Sequence, residues 1–147
     1  MPTQTPQELK KLLVSERFEV YRTVGDRVML ADRVRENLIM DSGVSVSSTD
    51  AGYVVRVVVR AQASDFQGET PEWLQEHARR VGEPAMQVGY SECSANVVPI
   101  RDPSDQSHVL DTWYEVGFER TIPDAAAMVA ELKQAVAWPK VATRTRP

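Results

Sequence analysis

The run Tyr53-Val54-Val55-Arg56-Val57-Val58-Val59-Arg60-Ala61 sets what this chain can fold into. β-Branched residues dominate it, and they suit a pleated, half-buried surface. Successive side chains of a strand point to opposite faces. Tyr53, Val55, Val57, Val59 and Ala61 therefore share one wholly apolar face, which belongs on a core. Val54, Arg56, Val58 and Arg60 share the other, which mixes valine with arginine and is expected to be partly wet or to meet a partner. A second alternating run precedes it, with Leu38, Met40, Ser42, Val44 and Val46 set against Asn37, Asp41, Gly43, Ser45 and Ser47. Thr49-Asp50-Ala51-Gly52 lies between the two. An aspartate that bonds its own backbone, followed by a glycine for a left-handed position, is hairpin chemistry. The spacing predicts an antiparallel pair, residues 36–48 with 52–62.

Upstream of this pair, Thr5-Pro6-Gln7-Glu8 has the pattern of a capping box with proline at the first helical position. Leu9, Leu12, Leu13 and Val14 follow as an apolar stripe, so a helix over 6–16 docked on the sheet is expected. Residues 18–24 alternate as a strand, Gly25-Asp26 reads as a turn, and Val28 to Leu30 as a second short strand. Residues 30–38 fit either a helical period or extended chain, and extended chain is preferred.

Downstream, residues 62–69 read as a polar loop with one large apolar residue, Phe66. Thr70-Pro71 opens a second helix whose stripe is Trp73, Leu74, Ala78 and Val81, closed by Gly82. Residues 87–98 are expected to be extended, with Val88, Tyr90 and Val98 inward, and Asp102-Pro103-Ser104-Asp105 is a turn-rich connection. Leu110, Thr112, Tyr114, Val116 and Phe118 then alternate strictly with Asp111, Trp113, Glu115, Gly117 and Glu119. Pro123-Asp124 opens a third helix to about Ala137, with Met128, Leu132, Ala135 and Val136 as its stripe and Pro139 beyond its end. Residues 1–4 are expected to fray and 140–147 to be a mobile basic tail.

These elements describe an α+β fold: an antiparallel sheet of about five strands with three helices, in the order α-β-β-β-α-β-β-α. A chain of 147 residues is most simply one domain, residues 1–147, and long enough to fold without a disulfide or metal. The net charge of −4 argues against a nucleic-acid partner, which usually meets a basic stripe. The single cysteine, Cys93, favours a reducing compartment. No signal pattern stands at the N-terminus and no apolar run approaches the ~20 residues of a membrane span. A cytoplasmic protein with no membrane contact is therefore expected.

The chemistry-bearing residues form no catalytic constellation. Cys93 as a nucleophile would need a base, for which His108 and Asp111 are the candidates nearby in sequence. No glycine-rich turn follows it to build an oxyanion site, so a small buried strand residue is the expectation. Two histidines and one cysteine, far apart, do not make a metal site, and the scattered glycines give no phosphate loop. No catalytic residue, metal or cofactor is assigned. Glu115 and Glu119 share one strand face and are read as solvating it.

Two surfaces remain. Trp113 falls on the polar side of its strand, and Arg56 and Arg60 alternate with valines on theirs. Tryptophan and arginine are enriched at interface hot spots, which makes Trp113, Arg56 and Arg60 candidate partner contacts. The plainer alternative is that a helix or the N-terminal segment covers Trp113. The second surface is a pocket between sheet and helices, lined by Tyr53, Tyr90, His77 and Tyr114, for a small molecule or a minor enzymatic activity. A lone histidine such as His77 is more often a packed or rim residue than a functional one.

In layout the chain resembles the bacterial type III secretion chaperone fold. The features that carry this are the opening helix with Leu9, Leu12 and Leu13, the spine strand, the helix after Thr70-Pro71, and the closing strand and helix from Thr112 to Val136. The Mog-type sandwich, which some secretion-effector chaperones resemble, also contains hairpin, helix, hairpin, helix, but the capped N-terminal helix favours the first layout. The resemblance carries no residue-level motif. It implies a homodimer that binds an extended segment of a client protein and performs no chemistry.

Overall fold

The computed structural model describes residues 3–142. In chain order the elements are α1 (Pro6–Ser15), β1 (Val20–Val24), β2 (Arg27–Arg35), β3 (Leu38–Thr49), β4 (Gly52–Gln62), a 3₁₀ turn (Ala63–Asp65), α2 (Pro71–Val81), α3 (Glu83–Gln87), β5 (Ser91–Asp102), β6 (Asp105–Ile122) and α4 (Ala125–Ala135). The strands form one antiparallel sheet in the order β1-β2-β3-β4-β6-β5. The class is therefore α+β, with six strands and four helices where about five and three were expected. The sixth strand is β2, a longer form of the short strand expected at Val28 to Leu30, and the fourth helix is α3. Residues 27–49 form a hairpin of their own, β2 turning into β3 at residues 36–37, so 30–38 are extended apart from that turn. The short helix α3 fills the stretch left unassigned after Gly82, and the strand expected from Gln87 starts instead at Ser91. The chain divides into two compact units. One takes the described residues up to Val57 with Glu119–Trp138, and the other Val58–Phe118 with the described residues from Pro139.

In the first unit the predicted capping box starts α1. Thr5 Oγ1 accepts from the Glu8 N–H at 3.2 Å, and Glu8 Oε1 accepts from the Thr5 N–H at 2.9 Å. Leu9 and Leu13 of the stripe are fully buried, Leu12 is half-buried and Val14 is exposed. Beyond the helix, Arg17 takes a left-handed conformation (φ 71°) and the Phe18 N–H reaches back to the Leu13 carbonyl at 3.0 Å, a Schellman closure. Thr3 and Gln4, expected to fray, carry bonds to the β3–β4 hairpin. Thr3 donates to Asp50, the Gln4 N–H donates to Ser48 Oγ, and the Tyr53 hydroxyl donates to Gln4 Oε1 at 2.8 Å. The rest of that expectation, Met1 and Pro2, lies outside the described residues.

Residues Val44 to Thr49 pair antiparallel with Gly52 to Val57, as expected of this hairpin, with Thr49 opposite Gly52. The turn itself works differently from expectation. Thr49, rather than Asp50, makes the local bonds, donating from Oγ1 to the Gly52 carbonyl and accepting from the Ala51 N–H. Gly52 has a positive φ of 131°, which favours glycine, and a Cβ there would also strike the Ile122 carbonyl. The alternation expected along β3 also fails at its start. Gly43 has φ 82°, its N–H bonds Asp41 Oδ1, and the Val44 N–H bonds Ser42 Oγ. This kink leaves Val44 and Val46 in the core but Leu38 and Met40 exposed. At the other end of the unit, Asp124 caps α4 by accepting from the Ala127 N–H at 2.8 Å. Met128, Val129, Leu132 and Ala135 are buried, whereas Val136, expected in the stripe, follows the helix as its exposed C-cap.

In the second unit the apolar face of β4 continues through Val59 and Ala61, both buried, and the opposite face through Val58, Arg60 and Gln62, all half-exposed. Phe66 is buried, and Thr70 caps α2 by accepting from the Trp73 N–H. Leu74 and Ala78 are the buried part of the α2 stripe, while Trp73 and Val81 are half-buried. Gly82 closes α2 as predicted but not by a left-handed turn, since its φ is −85°. Phe118 occupies the space a Cβ would need. The chain after α3 turns Tyr90 into the core and leaves Val88 exposed, correcting the inward assignment of Val88, while Val98 is half-buried. Along β6, Tyr114, Val116 and Phe118 are buried as alternation requires, but Leu110 lies beyond the core and is exposed. Arg79 ties α2 to β5, bonding Glu92 through Nε and Nη2 and Glu76 through Nη1. Lys140 and Ala142, expected in a mobile tail, bracket Arg60 of β4. The Arg60 N–H donates to the Lys140 carbonyl and the Ala142 N–H to the Arg60 carbonyl, each at 2.8 Å. The remainder of that tail, residues 143–147, lies outside the described residues. Among the described residues no helix is long and apolar enough to cross a membrane.

Candidate functional site

Of the three candidate partner contacts, Arg60 and Trp113 come together. The Arg60 guanidinium carbon lies 4.0 Å from the centre of the Trp113 ring, within the range of a cation–π contact. Strand alternation places both side chains on the half-exposed face of the sheet, away from Tyr114 and Val59. Arg60 of β4 thus lies over one face of the indole. The edge of the indole is also held. Trp113 Nε1 donates to Asp111 Oδ2 at 3.2 Å, and the same carboxylate accepts from the Ser64 N–H at 2.9 Å and the Ser64 hydroxyl at 2.8 Å. Burial alone would push the Asp111 carboxyl up, but the bonds from Ser64, Thr112 and Trp113 outweigh it and hold it below the ordinary aspartate range. Gln62, oriented with its amide oxygen toward Arg60, accepts from Arg60 Nε at 2.9 Å. Both partners of the stack are therefore held in place before any contact is made.

Arg56 belongs to the other unit. Its Nη2 donates to Glu119 Oε2 at 3.0 Å, and its Nε is buried with no hydrogen-bond partner among the described residues. Glu119, read as a solvating carboxylate, is thus half of an ion pair, whereas the Glu115 carbonyl accepts from the Gln75 amide.

Tyr53 is buried in the first unit with its hydroxyl on Gln4. Tyr90 and Tyr114 are buried in the second. His77 is half-exposed and packs in an aromatic group with Trp73 and Phe66. Its ring stacks on Trp73 with centroids 4.6 Å apart and planes 17° apart, and meets Phe66 edge-on at 5.0 Å. His77 Nδ1 is buried and has no hydrogen-bond partner among the described residues.

Cys93 is exposed, which corrects the expectation of a small buried strand residue. Asp111, one of its two candidate bases, is committed to Ser64 and Trp113. Among the described residues no group of three or more histidine, cysteine, aspartate or glutamate side chains is placed to hold a metal ion.

Sequence reasoning missed Asp111 and Ser64 as supports of Trp113, and the aromatic group around His77. Asp111 and Trp113 are two apart on one strand and so share a face. Trp73 and His77 are four apart on one helix. Both spacings were readable. Ser64 and Phe66 arrive from a loop, where no period points. No family model, curated protein or solved structure matches this chain.

Proposed function

We propose that this chain is a non-enzymatic protein-binding module of chaperone-like character that works as a homodimer, with the surface around Trp113 and Arg60 as its contact. The observation that carries the reading is the Arg60–Trp113 stack on a half-exposed sheet face. Tryptophan and arginine dominate interface hot spots because they combine a large apolar body with polar atoms that find partners. A side chain already fixed by its neighbours loses little freedom on binding, so less affinity is spent on ordering it. Asp111, Ser64 and Arg60 supply that fixation here. The layout supports the same reading. A capped helix, a run of antiparallel strands, helices, a long hairpin and a final helix follow in the order of the secretion-chaperone layout, with the extra β-hairpin strand and α3 added.

Placing p-benzoyl-L-phenylalanine at position 113 of the purified protein tests this. Irradiation is expected to give a covalent species of twice the chain mass. A product that stays monomeric at high micromolar concentration counts against the reading.

A further inference from the structure

The first unit holds a cleft of about 260 Å³ where the α1–β1 connection, β2, β3 and the end of α4 meet. The β2–β3 register slips between Met29 and Ala31, beside the lining residues Leu30 to Arg33. Such bulges re-aim side chains. Its lining is of two kinds. Phe18, Leu30, Ala31 and Val136 supply apolar surface, and Arg17, Glu19, Asp32 and Arg33 supply four charges. Two of these charges cancel. Arg33 donates to both carboxylate oxygens of Glu19, from Nε at 2.7 Å and Nη2 at 2.8 Å. The other two are unspent, because the side chains of Arg17 and Asp32 make no hydrogen bond or ion pair among the described residues.

An apolar lining with one free cation and one free anion is complementary to a small zwitterion with an apolar side chain. We propose that this cleft binds a free α-amino acid with an apolar side chain. Arg17 takes the carboxylate, Asp32 takes the ammonium, and Phe18, Leu30, Ala31 and Val136 receive the side chain. The size agrees, since about 260 Å³ is below the ~300–1,000 Å³ of pockets that bury drug-sized ligands. Charge-assisted bonds at both ends give the selectivity, and a ligand lacking either charge leaves one group without its partner. This site is independent of Trp113 and of the dimer, so either proposal can fail without the other.

The test is calorimetric titration with L-leucine and with its two singly charged analogues, isoamylamine and 4-methylpentanoate. Leucine is expected to bind in the millimolar range or tighter, and each analogue about tenfold more weakly or worse. Arg17→Gly is the informative variant, because a left-handed position accepts glycine without strain and the fold is kept. It is expected to weaken leucine about tenfold while leaving isoamylamine unchanged. Asp32→Asn is expected to weaken leucine while leaving 4-methylpentanoate unchanged. Absence of binding by leucine, valine, isoleucine and phenylalanine at millimolar concentration overturns the proposal. So does leucine binding that neither variant weakens.

Discussion

The guanidinium carbon of Arg60 lies 4.0 Å from the centre of the Trp113 ring, while the backbone of the same arginine is bonded to Lys140 and Ala142. One residue therefore holds the proposed contact with its side chain and the described end of the chain with its main chain.

The energy of that stack is measurable as a coupling. A half-exposed cation–π pair contributes about 0.5–2 kcal/mol. A double-mutant cycle of Arg60→Ala and Trp113→Ala, followed by urea unfolding, is expected to give a coupling in that range. Arg60→Lys should recover only part of it, because an ammonium offers no plane to lie on the ring. A coupling near zero would mean that the ring and the guanidinium are neighbours without mutual stabilisation.

Gly82 and Phe118 make a second testable pair. A Cβ at position 82 would fall inside the Phe118 ring, and both residues are buried. Gly82→Ala is expected to cost about 1–3 kcal/mol, the usual penalty for forcing atoms into a filled core. Pairing it with Phe118→Leu should cost less than the sum of the two single changes. Thermal unfolding of the four proteins gives the comparison, and strict additivity would show that the ring moves aside freely.

Asp111 should leave a trace in the acid stability of the protein. Its carboxyl is held below the ordinary aspartate value of 3.8 because the bonds it accepts outweigh its burial. A carboxyl with a depressed folded-state value stabilises the fold fully above its unfolded-state value, and that contribution is lost as pH falls through the folded-state value. The wild type is therefore expected to exceed Asp111→Asn in stability at neutral pH, and the gap should close below about pH 4. Urea unfolding of both proteins across that range decides it. A gap that stays constant with pH would remove the carboxylate's charge from the account.

Much of this fold was legible because its strongest signals are local. The capping box at Thr5 and Glu8, the two faces of Tyr53 to Ala61, the cap at Thr70 and the alternation of Tyr114, Val116 and Phe118 all depend on neighbours in sequence. The misses share a cause, which is backbone that departs from a period. Gly43 breaks the β3 alternation, so Leu38 and Met40 leave the core face. Gly52 ends the hairpin turn and Gly82 closes α2 as read, yet each also allows close approach to Ile122 or Phe118, residues far away in sequence. The same holds for the candidate site. Alternation placed Trp113 on the outer face, but its supports, Arg60 from another strand and Ser64 from a loop, are products of tertiary structure. The charges around the cleft were invisible for that reason as well, since Arg17 and Asp32 become neighbours of one cavity only where the α1–β1 connection, β2, β3 and the end of α4 meet.

The central claim is self-association through the Trp113 surface. Light scattering coupled to size exclusion, on the wild type and on Trp113→Ala at matched concentrations, tests it most directly. The account predicts a wild type of twice the chain mass and a variant shifted toward the monomer. A wild type that is monomeric at high micromolar concentration, or a dimer indifferent to the loss of Trp113, would contradict it.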